Sequence, residues 1–201
     1  MIHIEIIACS IFKRELGGII DDLPLPEGVS VHYIDSMLHI YPDKLKLILD
    51  KQISLFREKG SDIFLLYGEC HPFIDGCGSG VNRCPGINCI EIMLGPAVYR
   101  KLRKEGWFFL LPEWTQRWKE IFEVNLGLDA RSAREIMRES HTGLLYLDTG
   151  KSEVPIEKLI SLSEYTGLPY SVKQITDSIL RETILNLVRN IIDAERSEKH
   201  Q

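Results

Sequence analysis

The sequence predicts an α/β fold, with an open, mainly parallel sheet and helices on both faces in a Rossmann-like three-layer arrangement. Three observations carry this expectation. Short runs rich in Ile, Val and Leu alternate with longer segments of helical periodicity, the order that builds parallel sheets through crossover helices. The run Asp62 to Tyr67 is apolar without alternation, as a central parallel strand buried on both faces must be. The length of 201 residues, with 44% hydrophobic and 26% charged side chains, suffices for one domain with a substantial core. No linker of distinct composition interrupts the chain. Residues 1–201 therefore read as a single α/β domain with a C-terminal helix at about 173–195.

Taken in order, residues 2–8 form the first strand. Ser10 is placed to cap the helix that follows, with Lys13 and Arg14 on its exposed side. Residues 21–28, Asp-Asp-Leu-Pro-Leu-Pro-Glu-Gly, make a loop of helix and strand breakers. Val29 to Ile34 alternates as a strand, and residues 35–41 connect onward. Pro42 opens a helix through Lys59, with Leu45, Ile48, Leu49, Ile53 and Phe56 on one face. Gly60 ends it and strand three follows. Residues 68–88 contain Gly68, Gly76, Gly78, Gly80 and Gly86, a long irregular loop of the kind that is usually either functional or disordered.

Cys89 to Leu94 is a short apolar segment, strand or helix. Gly95-Pro96 starts a helix through Lys104. Trp107 to Leu111 is strand four. Pro112 begins a helix carrying Trp114, Trp118, Ile121 and Phe122, where tryptophans four apart signal packing. Residues 129–139 form another helix, and Leu144 to Leu147 is strand five, closed by Asp148-Thr149-Gly150. Residues 156–165 are helical. Past Pro169 the chain reads as one more helix, Ile175 to Ile192, whose apolar stripe would suit a second copy in a homo-oligomer.

The formal net charge of -5 argues against a general affinity for nucleic acid. No apolar run approaches a membrane span. The first residues lack a basic leader and a small-residue cleavage site, so they read as a strand rather than a signal peptide. A cytoplasmic location with reduced thiols is the resulting expectation. Five cysteines suit a disulfide scaffold poorly. Metal binding, thiol chemistry or plain burial remain.

Cys9, Cys70 and Cys89 are the sharpest candidates. Cys9 closes the first strand just before a helix, whose N-terminus favours a thiolate. Cys70 follows the third strand, after Gly68, which permits a tight turn and is read as a cofactor-binding position. Cys89 returns the chain to the core. Ligands of open parallel sheets collect beyond the carboxyl ends of strands. Three thiolates there can hold zinc with one position open, or an iron–sulfur cluster with one iron free; the bland alternative is that all three are buried small hydrophobes.

Cys77 and Cys84 rank second, since Cys84-x4-Cys89 is a common spacing and Cys77 sits in Gly-Cys-Gly. His39, in the loop after the second strand, is a catalytic acid–base candidate or a fourth ligand. His71 should point elsewhere. Asp148 is a second catalytic candidate, orienting a ligand from the end of strand five, or simply an Asx-type turn with Gly150. No Gly-x-Gly-x-x-Gly, Walker loop or Gly-x-Ser-x-Gly elbow is present.

The ordered set Ile-Ala-Cys at 7–9, Leu-His-x-x-Pro-x-x-Leu at 38–45, Tyr-Gly-x-Cys at 67–70, Asn-Cys-Ile-Glu-x-x-Leu-Gly at 88–95, a strand and Trp at 107–114, and Tyr-x-Asp-Thr-Gly at 146–150 resembles the domain of unknown function 1638 family of anaerobic archaea and bacteria. The resemblance runs over roughly residues 2–170 and is poor after Pro169. Residue by residue it points to Cys9, His39, Cys70, Cys89 and Asp148. It implies a setting beside corrinoid-dependent methyl transfer, with a small-molecule substrate and a corrinoid or methyltransferase protein as partner. Three functions stay open: a thiolate–metal protein of methyl, sulfur or electron transfer, a metal-free module for a small anion or cofactor, and a scaffold with buried cysteines.

Overall fold

The computed structural model describes residues 3–198 except 24, 26 and 71–79. It is α/β, with two open sheets whose strands are all parallel among the described residues. The sequence read as one domain; the chain divides into two compact units, residues 1–93 with 177–201, and residues 94–176.

The first unit is built on β1 (Ile4–Cys9), α1 (Lys13–Asp22), β2 (Val29–Ile34), α2 (Pro42–Glu58), β3 (Asp62–Leu66), β4 (Val81–Arg83) and α3 (Cys89–Leu94). Strand order is β2-β1-β3-β4. β1 lies between two partners, Ile6 pairing with Val31 on one side and Phe64 on the other. That central position explains its composition: Ile4, Ile6, Ile7 and Ala8 are fully buried. α2 starts with Pro42 at its first turn and buries Leu45, Leu49, Ile53 and Phe56. Ile48, expected on that face, is exposed instead. Gly60, at φ +71°, turns the chain from α2 into β3.

The second unit holds α4 (Pro96–Lys104), β5 (Trp107–Leu110), α5 (Pro112–Gln116), α6 (Ala130–Ser140), β6 (Gly143–Asp148), α7 (Ile156–Thr166) and β7 (Tyr170–Gln174). Its order is β5-β6-β7. Leu144 to Leu147 on the central strand are buried, as are Leu159 and Leu162 on α7. Asp129 begins α6 by accepting the Ser132 amide at 2.8 Å. α8 (Ser178–Glu198) then returns the chain to the first unit.

Four local expectations are corrected. The helix begun at Pro112 does not run on through Phe122: it stops at Gln116, and a π-helical turn, Glu120–Asn125, carries Ile121 and Phe122 into the core. β7 stands where the sequence offered no strand, because its residues after Tyr170 are exposed and give no apolar signal. β4 interrupts the expected loop with three residues paired to β3. Ser10 does not cap a helix; it begins a short 3-10 turn, and its hydroxyl accepts the Ser36 amide at 2.9 Å.

Candidate functional site

In the first unit the parallel ladders bring the carboxyl ends of β1, β2 and β3 to one edge. The order 2-1-3-4 reverses direction between β1 and β3, and that switch point is where open α/β sheets bind ligands. Cys9 is the last residue of β1. Ala8 pairs with Leu66, so the next residues leaving the two strands are Cys9 and Tyr67. On the other side Ile34 pairs with Cys9, which delivers Asp35 and Ser36. Asp35 accepts the Met37 amide at 2.9 Å and starts a 3-10 turn, Ser36–Ile40, that carries His39. The Ser10–Ser36 bond ties this turn to the end of β1.

Cys89 reaches the same edge through a close backbone approach. A methyl on Gly68 would sit 2.3 Å from Asn88 Cα, so only glycine lets the segment after β3 lie against Asn88. Asn88 in turn starts α3: its side chain accepts the Glu91 amide at 2.9 Å, and Glu91 accepts the Ile87 amide at 2.7 Å. Gly68 therefore packs against the Asn88 backbone, and it is not among the residues that line the cavity described next.

Cys9, Cys70 and Cys89 line one cavity of about 20 Å³, together with Asp35, Ser36, His39, Leu45 and Tyr67. The Cys89 thiol shares hydrogen bonds with Cys70 and with Cys9. Those bonds, followed by burial and by the charges of Cys9 and Cys70, raise its pKa well above that of a free thiol. Among the described residues no three His, Cys, Asp or Glu side chains are already set in a metal-holding arrangement.

Tyr67 is the member that sequence reasoning missed. It is 3% exposed, and its hydroxyl makes no hydrogen bond among the described residues. Burial first, then the charges of Cys9, Cys89, Cys70 and Asp35, push its pKa well up, so it stays a proton donor. The signal available was a tyrosine at the end of an otherwise aliphatic strand, directly before Gly68.

The remaining candidates separate. Cys84 is buried, donates to the Tyr67 carbonyl at 3.4 Å and has its pKa pushed up to about 12, mainly by burial. It faces a different cavity, of about 340 Å³, lined also by Arg83 and by Ile179 and Leu187 of α8. Asp148 belongs to the second unit, where its carboxylate accepts the Gly150 amide at 2.9 Å in an Asx turn. Cys77 and His71 lie outside the described residues. No helix among the described residues is long and apolar enough to cross a membrane.

A family model described as a protein of unknown function (DUF1638) matches residues 33–184. The span includes His39, Cys70, Cys89 and Asp148, begins after Cys9, and continues past Pro169, where the sequence motifs had ended. No curated protein and no solved structure matches the chain.

Proposed function

We propose, for a chain that belongs to the domain of unknown function 1638 family, that the first unit is a thiolate metal centre. Its ligands would be Cys9, Cys70 and Cys89. The observation that carries the reading is the meeting of three sulfurs, from positions far apart in sequence, in one small cavity at the sheet's switch point. Cysteine sulfur is the donor for soft ions such as zinc and for iron clusters. The cavity of about 20 Å³ is roughly one water in size, which suits a single ion better than a four-iron cluster. Three protein ligands leave a soft Lewis-acid position for a small-molecule substrate. His39 and Asp35, in the same wall, would hold or relay the proton that such a substrate releases. Methyl or sulfur transfer is the reaction class this donor set supports, and the family resemblance suggests a corrinoid-linked partner for it.

The test is anaerobic purification followed by elemental analysis. The expected result is about one zinc or one iron per chain, lost when Cys9, Cys70 or Cys89 is changed to Ser and kept in Cys84→Ser. A wild-type protein that carries no metal and takes up none on reconstitution would remove this reading in favour of a metal-free module.

A further inference from the structure

We propose that Cys70 and Cys89 form an oxidation site, at which a peroxide converts their two thiols into one disulfide. The inference goes beyond the metal reading and does not depend on it, since the pair needs only its two sulfurs and an oxidant. Where a metal is bound, the same step removes two of its three thiolate ligands.

Proximity, access and freedom to move select this pair. Cys70 and Cys89 line one cavity and share a hydrogen bond, so their sulfurs need only close from that contact to the bonded distance of about 2.05 Å. The segments that carry them run side by side: the Glu69 amide donates to the Gly86 carbonyl at 3.1 Å, and Gly68 lies against the Asn88 backbone. Among the described cysteines Cys70 and Cys89 are half-buried, whereas Cys9 and Cys84 are buried. A dissolved oxidant therefore meets the first two. Cys9 also contacts Cys89, but it ends the central strand and is held in register with Ile34. Cys70 lies outside any helix or strand, so its backbone can yield to the new bond. The chemistry balances. Peroxide oxidises the Cys70 thiolate to the sulfenic acid and releases hydroxide. The Cys89 thiolate then attacks that sulfur, the S–S bond forms, and a second hydroxide leaves. Two sulfurs give up one electron each, and the peroxide, with two protons, becomes two waters. A small-molecule dithiol reverses the step by exchange.

The experiment uses the full chain, purified without oxygen, in one batch stripped with a chelator and one incubated with zinc. Each is treated with an equivalent of hydrogen peroxide, alkylated, and mapped by mass spectrometry without reduction. The expected product in the stripped batch is a Cys70–Cys89 crosslink, marked by the loss of two hydrogens and reversed by dithiothreitol, with Cys9 and Cys84 still reduced. In the zinc batch the metal is expected to leave in step with the crosslink. Cys89→Ser should lose the crosslink. Cys9→Ser, which the metal reading expects to empty the site, should keep it. No crosslink in the stripped wild type overturns the inference. So does a dominant crosslink from Cys9 or Cys77, or a Cys70 carried on to the sulfinic acid while Cys89 stays a thiol. A wild type that forms the Cys70–Cys89 crosslink but takes up no zinc upholds this inference and overturns the metal reading alone.

Discussion

Replacing Gly68 with alanine tests how Cys89 is held. The added methyl would lie 2.3 Å from Asn88 Cα and 2.5 Å from Asn88 N. Carbon atoms rest comfortably at about 3.5 Å, so one of the two backbones must withdraw by about 1 Å. Neither neighbour is a side-chain tip that can swing aside. Asn88 is fixed by two bonds to the first turn of α3, from the Glu91 and Ile92 amides, so the displacement passes to Cys89, the next residue. Overpacking of this kind costs about 1–3 kcal/mol. A metal site tolerates ligand errors of only about 0.2 Å. Metal retention against a chelator should therefore fall about 10- to 100-fold, the range seen when groups that orient ligands are lost. The assay pairs chelator competition with urea unfolding. Gly17→Ala serves as the control, because a methyl there meets nothing within 4 Å and its position in α1 should make alanine neutral or stabilising. If Gly68→Ala matches wild type in both measurements, the Asn88 contact does not position Cys89 and the account of the site's assembly is wrong.

Two further outcomes follow from the same structure. Cys84, with a pKa pushed up to about 12 and 1% exposure, should resist alkylation in the native protein at pH 8, where about one thiol in ten thousand would be ionised; peptide mapping that finds it labelled as fast as Cys70 would contradict its burial. Burial lowers the pKa of His141, whose ring meets the Phe108 ring edge-on at 5.1 Å, so the folded chain binds fewer protons there than the unfolded one. Its contribution is intact above the unfolded value of about 6.5 and is lost as pH falls from there through the depressed folded value. The urea midpoint of wild type should consequently drop more between pH 7.5 and pH 5 than that of His141→Phe, and equal drops would refute the assignment.

Much of this architecture was readable from residue order because parallel sheets advertise their central strands. Ile4 to Cys9, Asp62 to Leu66 and Gly143 to Asp148 are buried along nearly their whole length, and each stood out as a strand. β7 did not, since Ser171, Lys173 and Gln174 sit on an edge and face solvent. The π turn at Glu120–Asn125 inserts a residue into the helical repeat, so a pattern counted from Trp114 loses phase. At the site, Cys9 and Cys70 were legible because strand ends are legible. Their meeting with Cys89 depends on the close approach of Gly68 to Asn88, which no local pattern encodes. Tyr67 and Asp35 matter only once the order 2-1-3-4 places β1 between β2 and β3, a non-local fact.

The first unit is split in sequence: its sheet comes from residues before 94 and its closing helix from residues after 176. Leu180, Ile184 and Val188 of that helix are buried, so the early segment cannot finish its core during synthesis until the whole intervening unit has been made. At roughly 5–20 residues per second, the finished sheet waits for several seconds without its closing helix, with apolar surface open to solvent. Residues 94–176, which are contiguous, face no such delay. Newly made chains are thus most exposed to chaperones, proteases and oxidants at the very segment that carries Cys9, Cys70 and Cys89.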